Sequence, residues 1–394
     1  MFGRPLSPSE AMFAGNRSTV AYSVFGTGEL DIASLTIAFH TLRVRYPVLS
    51  ARIVPDGNGY TLEHGSRTPA LRVGTCTSLP TGGFTVVDPD TVCAVDVAQQ
   101  ENSFRLTLLT HHSVADAAAS LRYLEALCAF YTRVVETGSP GEVRPHPFAV
   151  SLEQFLDARG FDIPEPLDTV PPATDSDAAA AATVRHGRTR LGAEETARLF
   201  GAGRQAGLTV HGIVCAAIVL AAHDLSRSDG RVSFSVVSSV DLRTRVGAPI
   251  AAADGTVIQG SDTAAVAIRP HDEPTRVGRA VLDSLADGLS HRTVHQAFLR
   301  PQAIWRQPAT NPLMVTNWGR IPPLLFPKGV WVNDFRASAS GLRTGTVASA
   351  PPSFFITTCD GRLSLDHPAW VSDGSDPTAL WTAALRRAFD RILD

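Results

Sequence analysis

Apolar residues along this chain recur with two periods, one of two residues and one of three to four, and the two alternate from end to end. In the first half, Thr19–Phe25 reads as a strand. Ile32, Leu35, Phe39 and Leu42 at helical spacing predict a helix over Asp31–Arg45, with Asp31 as N-cap and Pro47 as its stop. Ser50–Val54 and Tyr60–Glu63 read as short strands around the turn Pro55-Asp56-Gly57-Asn58-Gly59. Ser103–Leu109 is a strand with Phe104, Leu106 and Leu108 on one face. Asp116–Glu136 then reads as a helix with a buried stripe of Leu121, Leu124, Leu127, Cys128, Tyr131 and Val135, closed by Gly138 and Pro140.

The second half repeats the alternation without a readable sequence repeat. Helices are predicted over Ala193–Ala206, Val210–Leu225 and Pro377–Ile392. Strands are predicted around Val232–Val236 and over Thr263–Ile268, Met314–Asn317, Ser353–Thr358 and Arg362–Asp366. Between the halves, Phe161–Ala182 is Pro-rich, then Asp/Ser/Thr-rich, then a run of alanines, with no apolar periodicity, and reads as a linker. The expected organisation is mixed α/β: a subdomain over 1–160, a linker over 161–186, and a second subdomain over 187–394.

Composition narrows the functional classes. With 394 residues, 44% of them hydrophobic and 19% charged, the chain can bury sizeable cores and is not a disordered or fibrous protein. A net charge of −3 lacks the basic surplus of a protein that neutralises phosphates, so nucleic acid is not an expected partner. Lys328 is the only lysine. Its Pro/Gly surroundings read as a turn, which removes Schiff-base and P-loop chemistry. Five scattered cysteines without a C-x-x-C pair form neither a disulfide framework nor a zinc ribbon. The N-terminal residues lack a signal-peptide layout, and no apolar run of membrane-spanning length occurs, so a cytoplasmic location is expected.

The segment that carries chemistry is Leu109-Thr110-His111-His112-Ser113-Val114-Ala115-Asp116-Ala117, at a strand end leading into a helix. Such a junction holds side chains rigidly while leaving them reachable. One imidazole could be a packed structural group and the other a general base, with Asp116 orienting it or pairing with an arginine. Two plainer readings stand beside this: ordinary polar residues with an N-cap aspartate, or a metal site, for which no third ligand is close by. His291-Arg-Thr-Val-His295 puts two imidazoles on one helix face, the spacing of a metal pair, but it lacks the Glu and any nearby third ligand, and a solvated face is the plainer reading. His211 reads as a polar residue at a helix start, and Gly26-x-Gly28 as a turn. No G-x-S-x-G occurs, which argues against an α/β-hydrolase.

His111-His112-x-x-x-Asp116 resembles the HHxxxDG motif of the chloramphenicol acetyltransferase-like superfamily. That group includes nonribosomal peptide condensation domains, plant alcohol acyltransferases and polyketide-associated acyltransferases. Leu35-x-x-Ala38-x-x-x-Leu42-x-x-x-Tyr46-Pro47-x-Leu49-x-Ala51-Arg52, Val240-Asp241-Leu242-Arg243 and Gly361-Arg362-Leu363-Ser364-Leu365-Asp366 are similar to further segments of the family, in order. The stand-alone length and the Val-Asp-Leu-Arg segment look most like the polyketide-associated branch. The usual Gly after the Asp is Ala117 here, at a first-turn position that suits Ala at least as well.

The resemblance implies two acetyltransferase-like subdomains with mixed sheets and an active-site channel between them. It implies an acyltransferase that moves an acyl group from an acyl carrier protein or coenzyme A thioester to a hydroxyl of a lipid or polyketide-type acceptor. His112 would be the base, His111 its support, and Asp116 a structural partner of Arg243, with Asn317 and Trp318 as candidate channel wall. For these last two, a turn role for Asn317 and a packing role for Trp318 are the plainer readings. The thioester is substrate, so no cofactor or metal is implied, and the expected partner is an acyl carrier protein or polyketide synthase. The alternatives are a stand-alone condensation-type enzyme making an amide, and a silent homologue that only docks a carrier protein.

Overall fold

In the computed structural model, which describes residues 3–15, 17–57, 59–79, 90–163, 183–299, 309–340, 351–371 and 376–394, the two periods fold into three sheets clad by helices. The first half runs β1 (Gly3–Pro5), α1 (Pro8–Ala11), β2 (Thr19–Thr27), α2 (Ile32–Arg45), β3 (Ala51–Asp56), β4 (Gly59–His64), β5 (Leu71–Gly74), β6 (Cys93–Gln100), β7 (Ser103–His111), α3 (Ala117–Thr137) and α4 (Leu152–Asp157). The second runs β8 (Thr183–Arg190), α5 (Ala193–Gln205), α6 (Val210–Ser226), β9 (Val232–Asp241), β10 (Gln259–Ile268), α7 (Pro274–Ser290), α8 (Thr293–Gln296), β11 (Pro312–Arg320), β12 (Trp331–Ser340), β13 (Ser353–Cys359), β14 (Arg362–Val371) and α9 (Pro377–Leu393).

A five-stranded sheet, in the order β12-β2-β7-β6-β5, carries α2 and α3. Leu35, Phe39 and Leu42 from α2 and Leu124 and Leu127 from α3 meet Val24, Leu106 and Leu108 of the sheet in one core. A six-stranded sheet, β10-β9-β11-β13-β14-β8, carries α5, α6, α7 and α9 around a second core. The helix α6 is buried nearly all round, which is why its sequence is apolar without a polar face. Among the described residues no single helix is long and apolar enough to cross a membrane.

The structure departs from the sequence expectations in several places. The helix after β7 begins at Ala117, with Asp116 capping it from outside. Val135 is 41% exposed, and Val134 takes its place in the buried stripe. Most of the expected linker lies outside the described residues, but its last positions are already strand, because β8 starts at Thr183 and pairs with β14. Gly26 is a strand residue, not a turn: a Cβ there would meet the Trp331 carbonyl at 2.2 Å and the Phe104 ring at 2.4 Å.

That close approach belongs to β12, which leaves the second half and joins the first. Trp331 to Ser340 run antiparallel to Thr27 to Thr19 of β2. The crossing strand stays tied to its own half by charge. Arg188 on β8 donates to Asp334 at 2.5 and 3.0 Å, to the Phe335 carbonyl and to Ser364, while Arg336 pairs with Asp366 on β14 at 2.8 Å. Burial pushes the Asp366 carboxyl above its ordinary range, and Arg336 and Arg188 counter this.

Candidate active site

The HHxxxD segment is a tight turn between β7 and α3. The amides of Val114 and Ala115 both donate to the His111 carbonyl, at 3.0 and 3.2 Å. Outside contacts then fix the turn. His111 N–H donates to the Val92 carbonyl, His112 N–H to the Ser18 carbonyl, both at 2.7 Å, and Asp116 N–H to the Thr256 carbonyl at 2.8 Å. The loop is therefore held from the first sheet, from the N-terminal segment and from the second half at once.

His111 is buried, and its Nδ1 accepts from the Ser113 amide at 3.2 Å. Burial, then the neighbouring His112 and Arg17, push its pKa down to about 3, so it is a neutral packed imidazole. His112 is half-buried, and its ring lies flat on Phe13 with centroids 3.9 Å apart and planes within 7°. Its Nδ1 is shielded from solvent and meets no partner from another described residue. Burial lowers the His112 pKa, opposed by its own backbone and by Asp116, so the ring is held toward its neutral, proton-accepting form.

Asp116 does not point at the imidazole. Its Oδ1 accepts from the Ala119 amide at 3.1 Å and from Arg243 Nη2 at 2.9 Å. Its Oδ2 accepts from Arg243 Nη1 at 2.7 Å and from the Ile258 amide at 2.8 Å. Four N–H donors, two of them from the single Arg243 guanidinium, satisfy a carboxylate that is almost wholly buried. Arg243 also reaches Asp241 and the Ala252 carbonyl. Burial works against its charge, but Asp116 and Asp241 outweigh it and raise its pKa above the ordinary value.

Beside this pair lies a cavity of about 150 Å³ at the seam of the two halves. Tyr22, Ala117 and Leu121 line it from the first half; Ser239, Asp241, Gln259 and Thr316 from the second. Asn317 and Trp318 also face it, and each has a local role as well. The Asn317 side-chain Oδ1 accepts from the Gly319 amide at 2.9 Å, and Trp318 packs edge-on against Tyr22 and beside Phe355. His112 is not part of that wall, which touches the Asp116–Arg243 pair instead.

Sequence reasoning missed Phe13 and Glu10. Glu10 is fully buried; it pairs with Arg4, accepts from Thr256 Oγ1 at 2.6 Å, and its backbone carbonyl accepts from Ser113 Oγ at 2.8 Å. Ser7-Pro8-Ser9-Glu10 forms a capping box with Pro at N1, a local signal that could have placed α1. The expected His291/His295 face does not form, because the helix breaks between them. His295 is buried against the Arg245 carbonyl, while His291 stays exposed beside Asp287. His211 does stand at a helix start, bonded to Ser238. Among the described residues no His/Cys/Asp/Glu group could hold a metal ion.

Two helix-clad halves with an HHxxxD turn at their seam have the fold of condensation domains and chloramphenicol acetyltransferase-like acyltransferases. Residues 180–368 match the family model described as phthiocerol/phthiodiolone dimycocerosyl transferase C-terminus. The phthiocerol/phthiodiolone dimycocerosyl transferase of Mycobacterium ulcerans is 28% identical over 382 residues, covering 92% of this chain and 91% of the relative. Among solved structures, polyketide synthase associated protein 5 from Mycobacterium tuberculosis superposes with a TM-score of 0.80 at 21% identity, over 99% of this chain and 97% of that one. The first condensation domain of the calcium-dependent antibiotic synthetase gives 0.69 at 18% identity, over 100% and 97%.

Proposed function

We infer that this chain is an acyltransferase that moves an acyl group from a thioester to a hydroxyl of a lipid or polyketide-type acceptor, with His112 as general base. The observation that carries the reading is the His112 imidazole, held toward its neutral form at the seam of the halves, beside an aspartate already saturated by other donors. The name of the Mycobacterium ulcerans relative supports a transferase, and the polyketide synthase association of the solved neighbour supports the acceptor and donor class.

In this mechanism, His112 takes the proton from the acceptor hydroxyl as its oxygen attacks the thioester carbonyl. The tetrahedral oxyanion collapses, the C–S bond breaks, and the imidazolium returns the proton to the leaving thiolate. No acyl-enzyme forms. With Nδ1 shielded, Nε2 is the working nitrogen. His111 supports the turn from within, and Asp116 and Arg243 hold it in place without touching the reacting atoms. Asn317 and Trp318 line the seam cavity next to the Asp116–Arg243 pair, where the part of the acceptor remote from its reacting hydroxyl would lie.

The test is turnover of an acyl-coenzyme A, an acyl-pantetheine and an acyl carrier protein thioester against a long-chain alcohol and the matching amine. Ester formation that depends on His112 is expected, with kcat/KM raised by a carrier protein. Amide as the sole product would replace this reading with a condensation-type enzyme. Carrier binding without turnover of either acceptor would leave a silent docking homologue.

A further inference from the structure

A general base must present one nitrogen to the substrate in one orientation, and apart from a bond to its own backbone the His112 ring receives no orienting hydrogen bond from the described residues. Asp116, the nearest carboxylate in sequence, spends both oxygens on Arg243, Ala119 and Ile258. The ring has instead a flat apolar neighbour, Phe13, parallel to within 7° and 3.9 Å away. At that separation neither ring can turn out of plane without driving its edge into the other or opening a gap between them.

Phe13 is itself fixed with respect to the turn. Its amide donates to the Glu10 carbonyl at 3.2 Å, and its carbonyl accepts from the Ser18 amide at 3.1 Å. The same two residues grip the HHxxxD turn: the Glu10 carbonyl takes the Ser113 hydroxyl, and the Ser18 carbonyl takes the His112 amide. Glu10 is anchored in turn to Arg4 and, across the seam, to Thr256. Phe13 also packs against Phe298 of the second half at 6.1 Å.

We propose that Phe13 is a positioning residue of His112: residues 7–15, with Ser18, wrap the turn and lay this ring against the imidazole, adding by stacking to the ring's own backbone bond the orientation that a carboxylate gives in a Ser-His-Asp triad. The proposal rests on His112 being the base. Phe13 touches the imidazole and not the reacting atoms, so it acts through orientation. Misplacing a reacting group by about an ångström costs on the order of 100-fold.

The experiment compares Phe13→Leu, Phe13→Tyr and His112→Ala with the parent chain, assaying thiol release from an acyl-pantetheine in the presence of a long-chain alcohol. Each variant's melting temperature is recorded alongside. Phe13→Leu fills the space without a flat face. It should lower kcat about 10- to 100-fold with KM little changed. Phe13→Tyr should restore most of the rate. The acid limb of the Phe13→Leu pH profile should also move upward, as water gains access to the ring. The charged groups near it, Asp116 with Arg243 and Arg17 beside His111, are untouched by the substitution. Phe13→Leu with the parent's kcat and pH profile would overturn the proposal, as would loss of rate in Phe13→Leu and Phe13→Tyr alike. A fully active His112→Ala would instead overturn the assignment of the base on which it stands.

Discussion

Asp116 and Arg243 stand 127 residues apart in the chain and meet as a two-pronged, buried ion pair across the seam of the two halves. The pair joins the cap of α3 to the end of β9, so the HHxxxD turn cannot shift without breaking a charge contact. Removing one partner leaves the other charge buried and unpaired, which costs about 3–5 kcal/mol. Asp116→Ala and Arg243→Ala should each lower stability in thermal or urea unfolding. The double variant should be no worse than the worse single one, since both remove the same contact.

His112→Ala should leave the melting temperature near that of the parent and remove about 10²–10⁴-fold of the rate. His111→Ala should show the opposite balance. Its ring is packed and accepts the Ser113 amide, so its loss empties a buried site and loosens the turn. Steady-state kinetics and unfolding curves on the two single variants separate the roles.

Burial lowers the pKa of His112, which places the acid limb of kcat/KM below the ordinary imidazole range of about 6.5. Activity should therefore be flat through neutral pH and fall only in more acidic buffer, as the ring takes up the proton that disables it. A limb centred above pH 7 would contradict the buried environment.

Stability follows the same sign through three other imidazoles. His111 is pushed down to about 3, and His211 and His367 to about 4, each by burial first. The unfolded chain protonates these groups near pH 6.5, whereas the folded chain resists. The unfolded state thus binds more protons as pH falls from about 6.5 toward 4. Stability should be full above that window and drop on entering it, by about 1.4 kcal/mol per pH unit for each imidazole that remains neutral in the fold. Urea midpoints at pH 7.5, 6 and 5 would show the slope.

Trp318 should set acceptor fit more than rate. It lines the seam cavity while packing on Tyr22 and Phe355. Trp318→Ala would enlarge the cavity and remove a wall. We expect KM for a long-chain alcohol to change several-fold more than kcat, with Trp318→Phe in between.

What local sequence could reveal here is whatever local chemistry dictates. The turn between β7 and α3 was legible because two histidines, an N-cap aspartate and the periodicities on either side all fall within a short stretch. The Asp116–Arg243 contact was approachable only through family resemblance, since spacing says nothing about residues so far apart. Phe13 was invisible for the same reason: a lone aromatic in a short segment has no periodicity, and its partner ring lies a hundred residues away. His295 misled because helical spacing was assumed to continue through Arg292, which the structure places at positive φ, breaking the helix. Val134 and Val135 are chemically equal, so only packing against the sheet could decide which one turns inward.

The strand β12 bears on how this protein must be made. Its pairing completes the edge of the first sheet beside β2, yet it is specified by residues 331–340. A nascent chain that has emerged only as far as α4 would hold β2 with one side unpaired, an open template for a neighbouring chain. Assembly of the first half thus waits on synthesis of most of the second. A fragment ending before Trp331 should be prone to associate with its own kind rather than persist as a free subdomain.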